Sequence, residues 1–304
     1  MSSKPKVFIG SSKSNVAVAT AIATGLEQER DCAVTTVWSE GVFQPGDNFL
    51  DRLLEAPSEY DFAVMVWAAD DTTDTAGVSR ASPRDNVVFE CGLFMGALGK
   101  SRVFVVHDIQ GDIKIPSDFA GITLVGFEGQ RCKDNPQAGV RSACDQIALA
   151  IGKVLIEELN GPWRERYPDG GDINPMTVEA DIEIATFADG VSFTRIDDKT
   201  KEIAFSANGR FSENQIRGEW KNRASHVLDR GAFLLVLNTP ANVLYGYCSA
   251  RDADGGTIFQ PWVLAKKAGQ TGDALASLLD WGQKTLTERT LQLHSPNASL
   301  LHGS

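Results

Sequence analysis

The chain has 304 residues, of which 42% are hydrophobic and 23% charged, and a formal net charge of −11. That length exceeds one ordinary core and predicts two domains, with the composition of a soluble globular protein. The acidic balance excludes non-specific nucleic-acid binding as the main activity, while leaving room for one basic pocket for a small anion. No apolar run reaches the ~18 residues of a membrane span. The N-terminus Met1-Ser2-Ser3-Lys4-Pro5-Lys6 lacks the apolar core of a signal peptide, so a cytoplasmic protein with no membrane contact is expected. Five scattered cysteines, none in a Cys-x-x-Cys pair, predict reduced thiols and no metal site.

Lys6–Gly10 reads as a short apolar strand ending in Gly10-Ser11-Ser12. Asn15–Glu29 has helical periodicity through Val18, Ile22 and Leu26. Val34–Trp38 is a second strand, followed by a Gly/Pro-punctuated loop from Ser39 to Asp47 that carries Phe43. Asp47-Asn48 can cap a short helix carrying Phe49, Leu50, Leu53 and Leu54. Asp61–Trp67 is a nearly continuous apolar run, as a central parallel strand requires. A polar loop is expected from Asp70 to Arg84. Ser82 is positioned to cap a helix, with Pro83 at its first position and Asp85 where a capping-box acid would sit. Strands at Arg102–His107 and Ile122–Phe127 and a helix over Gln137–Leu159 complete this half. The alternation predicts a doubly wound, mainly parallel five-stranded α/β sheet, whose ligand sits beyond the carboxyl ends of the strands.

The helix after Ser82 is apolar on every face from Val87 to Leu98, which predicts burial on most sides. Glu90 is its one carboxylate within that run and shares a face with Val87 and Phe94. Such a group must be paired, neutralised or lining a cleft. Gly92 and Gly96, one turn apart, suggest close approach of a second backbone.

The run Arg84-Asp85-Asn86-Val87-Val88-Phe89-Glu90-Cys91-Gly92-Leu93-Phe94-Met95-Gly96 resembles the signature of bacterial TIR-like domains. Lys6-Val7-Phe8-Ile9-Gly10-Ser11-Ser12, Trp38 through Phe43-Gln44-Pro45-Gly46, and Asp61-Phe62-Ala63-Val64 through Asp70-Asp71 extend the likeness over about residues 5–155. The resemblance implies a flavodoxin-like fold. It also implies an NAD-hydrolysing effector of cyclic-nucleotide antiphage systems of the CBASS and Pycsar kind, related to the TIR half of TIR–STING proteins. Glu90 would then be the catalytic residue and NAD+ the substrate, with no cofactor or metal. Cyclic-nucleotide activation and assembly into a homo-oligomer or filament are further expectations. The chemistry is consistent with one carboxylate. Nicotinamide leaves neutral from a cationic pyridinium and needs no general acid, while the oxocarbenium-like transition state needs a stabilising charge.

Other residues of this half have two readings each. Ser11 and Ser12 can bond ribose or phosphate, or cap the local turn. Trp38 can stack on a base or end a buried strand, and Phe43 can contact ligand or a second subunit. Asp85 and Asn86 can cap the helix or bond substrate; Arg84 can pair with phosphate or with Asp70, Asp71 or Asp85. No Gly-x-Gly-x-x-Gly follows the first strand and no Walker motif exists, which disfavours redox NAD binding and ATPase chemistry. The four histidines are isolated and support neither a triad nor a metal site.

Asn160–Pro175, rich in Gly and Pro, reads as a linker, giving domains at 1–160 and 176–304 with the linker at 161–175. Seven short strands follow, separated by turn signals such as Asn208-Gly209 and Asp254-Gly255-Gly256, and an amphipathic helix covers Asp273–Leu291. A mostly antiparallel barrel or sandwich is expected. Trp220, Tyr245, Tyr247 and Trp262 accompany several arginines, Arg210, Arg217, Arg223, Arg230 and Arg251. Arg217, Trp220, Tyr247 and Trp262 are the candidates for binding a nucleotide signal by stacking and phosphate pairing. The alternatives to a gated hydrolase are a non-catalytic nucleotide-binding or TIR scaffold module and a nucleoside deoxyribosyltransferase-like enzyme.

Overall fold

The computed structural model describes residues 4–40, 49–75, 78–113, 115, 119, 121–168, 176–187, 190–197, 199–212, 215–222, 229–238, 241–251, 257–267, 270 and 272–293. The chain divides into two compact units, one reaching Val154 and one beginning at Leu155.

The first unit contains, in order, β1 (Lys6–Gly10), α1 (Val16–Thr24), β2 (Val34–Val37), α2 (Phe49–Glu55), β3 (Phe62–Trp67), β4 (Asp71–Thr75), β5 (Val78–Ser82), α3 (Asp85–Leu98), β6 (Val103–Asp108), β7 (Thr123–Phe127) and α4 (Gly129–Asp134). The long α5 (Pro136–Glu157) follows. Five strands form one sheet in the order β2-β1-β3-β6-β7, every pair parallel. This is the doubly wound, flavodoxin-like order, and its three central strands are apolar and buried on both sides. All six residues of β3 are buried, as are Val7–Gly10 of β1 and Val103–Val106 of β6.

Three local expectations are corrected. Asp70–Arg84 is no loop: β4 and β5 form an antiparallel hairpin with Asp71 opposite Ser82. Its three threonines are β-branched and suit strand pairing. The hairpin consumes Ser82, whose hydroxyl meets Thr73 Oγ1 at 2.9 Å, so α3 starts at Asp85 with Arg84 at the N-cap position. Finally, α3 is not buried all round. Val87, Cys91 and Phe94 face the sheet, but Phe89 is 55% exposed, and a Cβ at Gly92 or Gly96 would meet nothing within 4 Å. The 3.6-residue period turns those positions away from the sheet, so apolar content alone did not report burial.

The second unit adds β8 (Gly161–Pro168), β9 (Met176–Phe187), β10 (Gly190–Ile196), β11 (Ile203–Ser212), β12 (Gln215–Asn222), β13 (Asp229–Leu237), β14 (Val243–Arg251), β15 (Thr257–Lys266) and α6 (Gly272–Leu293). The eight strands close into one antiparallel barrel, with β15 pairing β8 and β8 pairing β9. The sequence reading placed Gly161–Pro168 in the linker; it is instead the strand that completes the barrel. Gly161 adopts φ +111°, which turns the chain into β8. Asn208-Gly209 is likewise no turn but lies within β11, opposite Glu219 and Gly218.

Aromatic rings fill the barrel. Trp262 lies 5.5 Å from Phe193, 5.5 Å from Phe233 and 5.6 Å from Phe205 between centroids. The buried Glu165 accepts hydrogen bonds from Arg195 Nη1 at 2.7 Å and Trp262 Nε1 at 2.9 Å. On the outer wall, α6 packs Leu275, Leu279 and Leu286 against Val243, Tyr245, Val263 and Ala265. Among the described residues no helix is long and apolar enough to cross a membrane.

Candidate active site

The sheet order reverses direction at β1, which has β2 on one side and β3 on the other. Beyond the carboxyl ends of strands at such a point lies the natural ligand crevice of an open α/β sheet. Helix α3 delivers Glu90 there. Phe94, one turn further along α3, stacks on Phe8 of β1 with ring centroids 4.5 Å apart. Val87, one turn earlier, is also buried. Glu90 lies on the same face and reaches the last residue of β1. A Cβ added to Gly10 would sit 3.5 Å from Glu90 Oε2 and 2.7 Å from the Sδ of Met65. Gly10 therefore leaves the space that the carboxylate occupies.

Among the described residues Glu90 has no hydrogen-bonded or ion-paired partner. Burial pushes its carboxyl up to about 7, because removal from water penalises the charged form. The neighbouring Cys91 thiol is pushed up to about 12 by the same cause, which makes it a poor nucleophile. Trp67 Nε1, at the carboxyl end of β3, is the one fully buried side-chain polar atom without a partner among the described residues.

A polar network floors the crevice. Trp38 Nε1 donates to Ser11 Oγ at 2.9 Å, tying the end of β2 to the end of β1. Ser12 Oγ lies 3.0 Å from Ser14 Oγ and accepts from Asn15 Nδ2 at 2.9 Å. Asp70 Oδ1 accepts from Ser14 Oγ at 2.6 Å and from Asn15 Nδ2 at 3.0 Å. Ser11 and Ser12 are buried, so their hydroxyls hold the strand ends together in this state. Asn15 and Asp70 belong to this network without having been candidates. Nothing marked them beyond their positions near the carboxyl ends of β1 and β3.

Of the sequence candidates, Glu90, Ser11, Ser12 and Trp38 thus gather at the switch point. Arg84, Asp85 and Asn86 lie exposed at the start of α3, and Arg84 Nε stands 4.0 Å from Asp71 Oδ2. Phe43 lies outside the described residues. In the barrel the four candidates do not form one site. Arg217 is exposed on the outer wall, whereas Trp220 and Trp262 point inward and Tyr247 packs with the α6 cluster. Trp220 Nε1 is occupied by the Ser249 carbonyl at 2.9 Å. Strand alternation separates them, because residues 217 and 220 differ by an odd number and face opposite sides. Arg223 and His226 lie outside the described residues.

A parallel five-stranded domain with the unpartnered Glu90 carboxylate at its switch point, followed by an eight-stranded barrel, defines the class: a flavodoxin-like α/β module joined in sequence to a β-barrel. Residues 6–129 match the family described as CAP12/Pycsar effector protein, TIR domain. The chain is 42% identical over 151 residues to CD-NTase-associated protein 12 of a Lachnospiraceae bacterium (strain RUG226), covering 50% of this chain and 45% of that protein. It is 33% identical over 148 residues to Pycsar effector protein PaPycTIR of Pseudomonas aeruginosa, covering 49% and 47%. It is 36% identical over 156 residues to CD-NTase-associated protein 12 of Flavobacterium daejeonense, covering 51% and 47%. The chain therefore matches just under half the length of these relatives. The resemblance expected from Glu90 and its flanking motifs is matched by this similarity over residues 6–129.

Proposed function

We propose that the first unit cleaves the N-glycosidic bond of NAD+ and releases nicotinamide, with Glu90 as the catalytic carboxylate. The observation that carries this reading is the unpartnered Glu90 Oε2 over Gly10 at the switch point. The C1′–N bond breaks with its electron pair going to the pyridinium, so nicotinamide departs neutral. Positive charge develops on the ribose, Glu90 stabilises it as the anion, and water adds to C1′ with loss of a proton. The low local polarity that raises the Glu90 pKa also strengthens its attraction for that charge. In this reading the Ser11 and Ser12 hydroxyls, the Asn86 amide and the Arg84 guanidinium are the groups for ribose and phosphate.

The relatives' names speak of Pycsar effectors and CD-NTase-associated proteins, which supports a role as an antiphage abortive-infection effector. In this reading the barrel receives a cyclic-nucleotide signal, and assembly completes the active site. The test is nicotinamide release from NAD+ by the full chain, with and without a panel of cyclic nucleotides. Glu90→Gln keeps the side-chain size and removes the charge. Activated turnover should fall at least ~100-fold, the order of one lost electrostatic stabiliser. A folded Glu90→Gln protein with wild-type turnover removes Glu90 from the mechanism.

A further inference from the structure

Helix α3 turns a bare stripe outward. Asp85, Phe89, Gly92 and Gly96 follow one another along the 3.6-residue period, opposite the buried Val87, Cys91 and Phe94. All four are exposed, and the Phe89 ring is an apolar knob on that face. Between Asp85 and Lys100 the one charged residue is Glu90, which points away from the stripe toward Gly10.

The two glycines weaken the helix without serving anything inside the chain. Apart from proline, glycine is the least favourable residue in a helix interior. Neither glycine has a positive φ, and a Cβ at either would meet nothing within 4 Å. Alanine would fit both positions and hold the helix better. What the glycines do supply is a shallow place, where a second helix can approach closer than the usual ~8–10 Å between axes.

Opposite charges mark the two ends of the stripe. Asp85 opens the helix, and Lys100 follows it after the turn at Gly99, whose φ is +83°. Both are exposed, and among the described residues neither has an ion-pair or hydrogen-bond partner. The adjacent Arg84 stands 4.0 Å from Asp71, which offsets its charge.

We propose that α3 pairs with α3 of a second copy of this chain, antiparallel about a two-fold axis between Gly92 and Leu93. In that register Phe89 seats over Gly96 of the second copy and Asp85 lies beside Lys100 of that copy, and the axis repeats each contact. One register satisfies both size and charge. A parallel pair would set ring on ring and like charges side by side, which is repulsive. A pair of helices 14 residues long buries less than the ~1,200 Å² of a stable interface, so the dimer is weak and responds to concentration. The pairing needs neither NAD+ nor a nucleotide signal.

The test is sedimentation of the full chain without nucleotide, from about 1 μM to about 1 mM, a range that covers weak association constants. A dimer should appear as concentration rises, and less readily at high salt. Phe89→Ala and Gly96→Leu should each weaken it at least ~10-fold, because the axis removes every contact twice. Gly96→Leu should at the same time keep or raise the melting temperature of the dilute monomer, since leucine is the better helix former. Asp85→Lys and Lys100→Asp should each weaken the dimer, and the double variant should recover it, which no role within one chain would produce. The proposal fails if the chain stays monomeric throughout, if Phe89→Ala and Gly96→Leu associate normally, or if the double charge reversal is as weak as the single ones. A Gly96→Leu monomer that melts well below the wild type would show that the stripe is covered within the chain, and would also overturn it. Association lost in the variants, with no NAD cleavage under any condition, would retain the interface and sink the hydrolase. NAD cleavage by a chain that never associates would do the reverse.

Discussion

Glu90 combines a position at the end of β1 with a carboxyl pushed up to about 7 by burial. If the anion is the active species, turnover of the activated protein should rise with pH through about 7 and level off above it. A pH profile of kcat/KM, measured at NAD+ well below saturation so that it reads the ligand-free protein, checks this, and a flat profile from pH 6 to 8 contradicts it. The same shift has a consequence for stability. The folded-state pKa is raised above the ordinary 4.5, so between those values the folded protein holds more of the proton than the unfolded chain does. Stability from this group is therefore present below 4.5 and lost as pH rises through about 7, a change on the order of 3 kcal/mol. Glu90→Gln escapes that loss. Its melting temperature should match the wild type near pH 4.5 and exceed it at pH 8.

Among the elements, β8 and β10 carry the most exacting polar contact, the Glu165–Arg195 pair inside the barrel. Glu165 is 1% exposed. The Arg195 guanidinium lies 4.8 Å from the centre of the Tyr167 ring and 5.1 Å from that of Phe205, so it is both paired and stacked. Removing only the arginine would leave an acid buried with one remaining donor, Trp262. Arg195→Met should cost about 3–5 kcal/mol in chemical denaturation at pH 7. The double variant Arg195→Met/Glu165→Leu should recover most of that loss, because no charge is left inside. An equal or larger loss in the double variant would show that packing, and not the orphaned acid, sets the cost.

For the whole molecule, the gating part of the proposed function makes a prediction about concentration. A constitutive NAD hydrolase would deplete the cell that makes it, so the resting chain should be nearly inactive. If the signal favours an assembled form, its differential affinity for the two forms sets the shift. Turnover per molecule should then rise with protein concentration when the activating nucleotide is present, together with a larger species in light scattering. Constant turnover per molecule at every dilution would rule out assembly as the switch.

Period and composition by themselves determined the outline of both units. Runs such as Phe62–Trp67 are apolar at every position because a central parallel strand is covered on both faces, so the alternating sheet was legible. Glu90 was legible as well, since a lone carboxylate in an apolar helix must have a reason to be there. The hairpin β4–β5, the strand β8 and the true start of α3 were not, because each depends on pairing with residues whose register no local pattern reports. Gly161-Pro162 has the composition of a linker, yet Gly161 pairs with Ile184 and Pro162 with Glu183. Tertiary structure alone decided that Glu90 meets Gly10, that Trp220 and Trp262 turn inward, and that Arg210 faces Arg217. The physical reason is common to all three. A side chain's identity is local, but its neighbour across a sheet is set by register and strand order, where a shift of one residue sends it to the opposite face.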